Sequence, residues 1–276
     1  MRTIVHLSDL HFGRVDPAIL PPLERAVAEV APDLVVVSGD ITQRARITEF
    51  EAAARFLKTL PAPLLTIPGN HDLPLYNVVR RWLSPLARYR RYITNDLEPF
   101  FEDTEIAVLG INTARAMTLK DGRINRPQIE AATQTFAHCG KDVTRIVVTH
   151  HTFDVPDATA AAIAAHKLVG RADMAVAGLI GAGVDMILSG HLHLSGVGET
   201  TQRYQLPGRA ALLIHAGTAT STRRRGELNA FNVVRIASPD VVIECWIWRA
   251  DEGCFVAAST ERFRRTEAGW SRLASL

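Results

Sequence analysis

An α/β architecture is predicted by three features of the sequence. Short apolar runs rich in β-branched residues (TIVHL, LVVVS, LLTIP, RIVVT) recur along the chain. Between them lie stretches whose apolar residues fall at helical spacing. With 276 residues, 47% hydrophobic and 22% charged, the chain is large enough to bury a substantial core. No linker, repeat or low-complexity tract divides it, so residues 1–276 read as a single domain.

Thr3, Ile4, Val5 and Leu7 begin the first strand. Residues 17–30 read as a helix, with Leu20, Leu23, Val27 and Val30 on one face. A strand at 34–38 follows, then a helix at 48–60 whose core stripe is Phe50, Ala53, Phe56, Leu57 and Leu60. Strands at 64–67 and 106–111 flank a segment, residues 74–101, that breaks the alternation. It holds three of the four tyrosines, Trp82 and five arginines, and reads as a helical insertion. Residues 126–138 form a helix with Pro127 near its start, a favoured place. A strand at 145–149 precedes alanine-rich helices at 158–169 and 171–182 and a strand at 186–189. Strands at 212–215, 230–236 and 241–248 are expected to be antiparallel, since little chain separates them. Residues from about 238 to 276 read as a strand extension.

Several function classes are excluded. A net charge of +2 gives no basic field for a nucleic acid polymer. The chain contains neither GxxxxGK[ST] nor GxSxG, which removes P-loop and serine-hydrolase readings. Cys139, Cys245 and Cys254 fit no metal or redox spacing and read as reduced thiols. The first residues enter a strand without a leader pattern, and no apolar run approaches the ~18–20 residues of a membrane span. The expectation is a cytoplasmic protein.

The strands share one property that packing does not explain. TIVHL runs into Ser8-Asp9-Leu10-His11, LVVVS into Gly39-Asp40, LLTIP into Gly69-Asn70-His71-Asp72, RIVVT into His150-His151, and DMILS into Gly190-His191-Leu192-His193. Buried carboxylates and imidazoles are costly unless paired or coordinated. In open α/β sheets, the C-terminal strand edge is where ligands bind.

This ordered set, Asp-x-His, Gly-Asp, Gly-Asn-His-Asp, His and Gly-His-x-His, resembles the calcineurin-like metallophosphoesterase superfamily over residues 4 to about 220. The resemblance implies a β-sandwich of two mixed sheets flanked by helices, and a centre of two divalent metals. Carried over position by position, Asp9, His11 and His193 would hold one ion. Asn70, His150 and His191 would hold the other, and Asp40 would bridge them. A mixed nitrogen and oxygen set without thiolate suits Mn, Fe or Zn. His71 would act on the scissile phosphate as a charge stabiliser or general acid, with Asp72 either orienting it or serving the turn. His150, not His151, matches the motif's ligand, since adjacent strand residues face opposite ways. The implied step is in-line attack on phosphorus by a metal-activated hydroxide. His215 stands where the family commonly carries Asn and reads as a hydrogen-bonded structural histidine, as do His6 and His166.

Within the superfamily, the chain looks most similar to small bacterial phosphodiesterases acting on cyclic nucleotides or glycerophosphodiesters. UDP-2,3-diacylglucosamine hydrolases of lipid A synthesis are the alternative, although many of those carry Arg where His71 stands. A non-catalytic scaffold is a third reading, but scaffold members lose ligands and here every position is filled. Tyr76 and Arg80 of the insertion, Arg14 behind His11, and Arg223 of a second basic run are the candidate substrate contacts. The expected partner is a small phosphodiester. The insertion's aromatic and basic character also suits a membrane surface, and residues after 238 could equally form an oligomer interface.

Overall fold

Two face-to-face sheets organise the chain in the computed structural model, which describes all residues except 62, 119–120, 155–167, 205–209, 223–226, 268 and 275–276. In chain order come β1 (Arg2–Leu7), α1 (Leu20–Val30), β2 (Leu34–Val37), α2 (Ile47–Leu57) and β3 (Leu64–Thr66). Next are a 3-10 turn (Asn70–Asp72), α3 (Val78–Leu83), α4 (Ala87–Tyr92), β4 (Phe100–Glu102) and β5 (Ile106–Gly110). They are followed by α5 (Arg126–Ala137), β6 (Thr144–Val148), α6 (Ala172–Gly181), β7 (Met186–Ser189), β8 (Gly196–Glu199) and β9 (Leu212–His215). The last four strands are β10 (Ala230–Ala237), β11 (Asp240–Arg249), β12 (Cys254–Thr266) and β13 (Gly269–Leu273).

The first sheet has the order β13-β12-β11-β10-β1-β2-β3, and the second β4-β5-β6-β7-β9-β8. Both are mixed. β1, β2 and β3 run parallel, and so do β5, β6, β7 and β9. The central strands are buried on both faces, which is why they read as continuous apolar runs. Alternate residues divide between two layers. Ile4, Leu34 and Val36 meet Val108, Ile146, Val148 and Leu188 of the other sheet. Val5, Leu7, Val35 and Val37 face outward onto Leu23 and Val27 of α1 and Phe50 and Phe56 of α2. On the far side, Val147, Ile187 and Leu213 pack beneath Ile129 and Phe136 of α5 and Val176 and Leu179 of α6.

Three expectations need correction. β10 and β11 pair antiparallel as expected, but β9 lies in the other sheet, parallel to β7, with β8 pairing antiparallel on its far side. The insertion is helical only as α3 and α4, since Phe100–Glu102 pairs with β5 as an edge strand. Helix α1 begins at Leu20, after a turn in which Ile19 donates to the Asp16 carbonyl. The helix expected at 158–169 falls almost wholly outside the described residues. No helix among the described residues is long and apolar enough to cross a membrane.

Candidate metal centre

The C-terminal ends of β1, β2, β3, β6 and β7 converge along one edge of the sandwich. The backbone there is strained. Asp9, His11 and Asp40 each have φ 51°, and His191 and His193 have φ 71° and 58°. Left-handed conformations are rare for residues with a Cβ, and they cluster at functional sites where surrounding structure enforces them. Two glycines allow the close approach. A Cβ on Gly69 would lie 2.1 Å from Asp40 Oδ1, and one on Gly190 would lie 1.8 Å from Ser8 Oγ.

Two donor groups result. In the first, His193 Nε2 lies 3.1 Å from Asp9 Oδ1, and His11 Nε2 lies 3.5 Å from the same oxygen. The two imidazole nitrogens are 3.2 Å apart. In the second, His150 Nε2 lies 3.2 Å from Asn70 Oδ1 and 3.3 Å from Asp40 Oδ2, and His191 shares a donor cluster with His150. Asp40 Oδ2 is also 3.9 Å from His11 Nε2, so one carboxylate oxygen faces both groups.

These residues fit a cation pair. Ligand bonds of ~2.0–2.2 Å at tetrahedral to octahedral angles set donor–donor separations of about 2.8–3.6 Å. Asp9 Oδ1 is fully buried and accepts no hydrogen bond, an expensive state for a carboxylate without a positive partner. Burial pushes the Asp9 carboxyl up, but His193 and His11 outweigh it and hold it well below the usual range. Asp40 is lowered in the same way, against burial, by His150 and His71.

The remaining lone pairs are tied to the scaffold. Asp9 Oδ2 accepts from Ser8 Oγ at 2.7 Å and from the His191 N–H at 2.9 Å. His150 Nδ1 donates to the Ser38 carbonyl at 2.8 Å, which turns Nε2 toward the donors. Asp40 Oδ1 accepts the His71 N–H at 2.8 Å. Thr218 Oγ1 donates to the Asp9 carbonyl at 2.7 Å.

His71 is half-buried at the edge of the first group, its ring 4.9 Å from that of His11. Its Nδ1 donates to the Gln43 carbonyl at 2.8 Å. Asp72 does not orient it. Both Asp72 oxygens serve the backbone instead, accepting from the N–H groups of Gly69, Ile41 and Thr42 and from Thr42 Oγ1 at 2.8–3.2 Å. The turn role therefore describes Asp72, which ties the Asn70–Asp72 turn to the loop carrying Asp40.

His151 is a second departure. It joins His150 and His191 in one donor cluster, with Nδ1 2.8 Å from Thr113 Oγ1. Strand alternation does not separate the two histidines, because β6 ends at Val148. His215 fits its structural reading: it is buried, and Nδ1 lies 3.0 Å from Ser189 Oγ. His6 likewise pairs with Ser38 Oγ at 2.9 Å. His166 and Arg223 lie outside the described residues. Arg14, Tyr76 and Arg80 are not drawn into the donor groups. Arg14 and Tyr76 are exposed, and Arg44 stacks over the Tyr76 ring at 5.3 Å. Gln43 had no signal in the sequence, since it acts through its backbone carbonyl.

Comparison with known proteins places the chain in a family. Residues 2–195 match the family model for calcineurin-like phosphoesterases. A UDP-2,3-diacylglucosamine pyrophosphatase of Chlamydia trachomatis is 38% identical over 76 residues, 26% of this chain and 23% of that protein. A glycerophosphodiester phosphodiesterase of Enterobacter lignolyticus is 56% identical over 80 residues, 25% of this chain and 29% of that protein. The chain therefore spans under a third of the length of these relatives. The solved purple acid phosphatase PPD1 of yellow lupin superposes with a TM-score of 0.70 over 93% of this chain and 52% of its own. At 12% identity that likeness concerns the fold alone.

Proposed function

The chain belongs to the calcineurin-like phosphoesterase family, and we propose that it hydrolyses a small phosphodiester at a binuclear metal centre. The observation that carries this reading is Asp40 Oδ2, which faces His150 at 3.3 Å and His11 at 3.9 Å and so links the two donor groups. Asp9, His11 and His193 would hold one divalent ion, and Asn70, His150 and His191 the other, with Asp40 available to both. The nitrogen–oxygen donor set suits Mn, Fe or Zn. When bound, such a pair supplies charge neutralisation at phosphorus and a nucleophile at neutral pH.

The chain's own residues supply the rest. His71 donates Nδ1–H to Gln43, which leaves Nε2 outside that contact. In the imidazolium form, with both nitrogens protonated, Nε2–H can be given to the departing alkoxide or donated to a phosphoryl oxygen; the transfer leaves the neutral Nδ1–H ring. The Asn70–Asp72 turn presents Asn70 and His71 together, and the Asp72 carboxylate keeps that turn in register with Asp40. Arg14 and Arg223 are assigned to substrate beyond the phosphorus.

Cyclic nucleotides and glycerophosphodiesters are the favoured substrates. The second is supported by 56% identity over 80 residues with the glycerophosphodiester phosphodiesterase, and the first by 28% identity over 78 residues with a probable cyclic nucleotide phosphodiesterase. The second reading is a UDP-2,3-diacylglucosamine pyrophosphatase, favoured by the Chlamydia relative. A substrate panel on Mn-loaded protein separates them. Release of glycerol phosphate or a nucleoside monophosphate supports the first. Turnover of the UDP-sugar alone moves the assignment to the second.

A further inference from the structure

Helix α3 is turned inside out. Val78, Val79, Trp82 and Leu83 share one side of the helix and are 61%, 69%, 58% and 81% exposed. Tyr76, just before it, is 75% exposed, and Met117 in the adjacent loop is 78% exposed. The inward position belongs to Arg81, which is 4% exposed. Its guanidinium donates to the carbonyls of Ala116 at 2.7 Å, Pro74 at 3.0 Å and Thr118. A helix packing on its own core would bury the valines, tryptophan and leucine and expose the arginine. Here three carbonyl acceptors anchor Arg81 and hold the apolar side outward.

Basic residues dominate the segment that carries this face. Residues 73–95 contain five arginines and no Asp or Glu. Arg80 sits on the helix itself, Arg44 stacks on Tyr76, and Arg46, two residues beyond Arg44, is exposed with its Nε 3.9 Å from the Glu49 carboxylate. Arg88 and Arg90 donate to the carbonyls of Ala45 and Asn95 at 2.6 Å. Exposed aliphatic groups, a tryptophan and a tyrosine with polar edges, and a rim of arginines are the composition of an interfacial membrane element. Apolar patches of this kind on monomers mark interaction sites.

We propose that α3, with Tyr76 and Met117, is a docking surface for an anionic lipid bilayer. Trp82, Leu83, Val78 and Val79 enter the headgroup–acyl boundary. Arg44, Arg46 and Arg80 stay with the lipid phosphates, where each basic residue adds attraction that salt screens. A neutral bilayer lacks this second contribution, and a protein partner would not require it. The proposal does not depend on the chemistry at the metal centre, because binding is read without turnover.

The test is co-sedimentation of the full chain with vesicles of phosphatidylcholine alone and of phosphatidylcholine with 30% phosphatidylglycerol. The expected result is partition to the anionic vesicles at least about tenfold above the neutral ones, falling steeply in high salt. Trp82→Ser with Leu83→Ser should lower that partition about tenfold while leaving hydrolysis of a soluble chromogenic diester unchanged. Val79→Ser, a milder change, should lower it less without shifting the melting temperature, which separates lost docking from lost folding. Equal partition to both vesicle types would overturn the proposal. So would absence of binding, or a dimer in sedimentation velocity that W82S/L83S dissociates, which would make a second copy of the chain the occupant.

Discussion

The Nδ1–H of His71 points at the backbone carbonyl of Gln43, 2.8 Å away. A carbonyl can only accept, so this contact sets a proton on Nδ1 and leaves Nε2 for another partner, and His71 shares a donor cluster with His11 and Asp40. His71 is thus poised beside the metal donors without needing to be one of them. His71→Ala should lower kcat by about 10²- to 10⁴-fold, the range for general acid–base groups. Metal content by mass spectrometry should stay at two ions per chain. Loss of an ion along with activity would make His71 a ligand instead.

Gly190→Ala tests the scaffold behind the first donor group. The added Cβ would fall 1.8 Å from Ser8 Oγ and 2.6 Å from Asp9 Oδ2, displacing the bonds that aim Asp9. Changes of this kind behind a ligand cost about 10- to 100-fold in metal affinity. Equilibrium dialysis should show weakened binding of one ion and retention of the other.

Asp72→Ala removes the acceptor for three backbone N–H groups and the Thr42 hydroxyl, all buried. Leaving such donors unpaired costs about 1–3 kcal/mol each before relaxation or water entry. The metal-free variant should lose at least about 2 kcal/mol in urea denaturation. Asp72→Asn, which keeps one acceptor oxygen, should lose less. Unchanged stability would return Asp72 to the chemistry.

Stability should also fall in mild acid through the histidines between the sheets. Burial, with His215 nearby, lowers His6 from 6.5 to about 3, and burial lowers His215 from 6.5 to about 4. Above pH 6.5 both are neutral in folded and unfolded chains and contribute no pH dependence. Between 6.5 and about 4 the unfolded chain binds these protons and the folded chain does not. Stability is therefore lost as pH falls, by up to about 1.4 kcal/mol per pH unit for each histidine. His215→Asn should flatten the dependence of the urea midpoint by roughly one proton over that window. Identical slopes for variant and wild type would contradict the assignment.

Much of the site was legible because its chemistry lies at strand ends. Asp, His and Asn after apolar runs are the wrong residues for a core, and five such endings in order imply a shared purpose. The short edge strands were not legible. Phe100–Glu102 and Gly196–Glu199 have three and four residues, the second half glycine, and only their neighbours make them strands. The alternation rule does not decide between His150 and His151, because the strand ends at Val148; the choice of His150 rests on the motif match. Gln43 was hidden for a different reason, since its role rests on a carbonyl that any residue carries. The outward face of α3 was visible as composition, but the buried Arg81 that inverts it is a tertiary fact.

The most direct test of the central claim is metal stoichiometry measured together with diester hydrolysis, in wild type and Asp40→Asn. The account predicts that two equivalents of Mn restore cleavage of a chromogenic phosphodiester to metal-free protein. It also predicts that Asp40→Asn weakens both ions and abolishes turnover, since one oxygen faces both donor groups. Full activity at one equivalent, or an Asp40→Asn protein that keeps two tightly held ions and normal turnover, would contradict a centre built on Asp40.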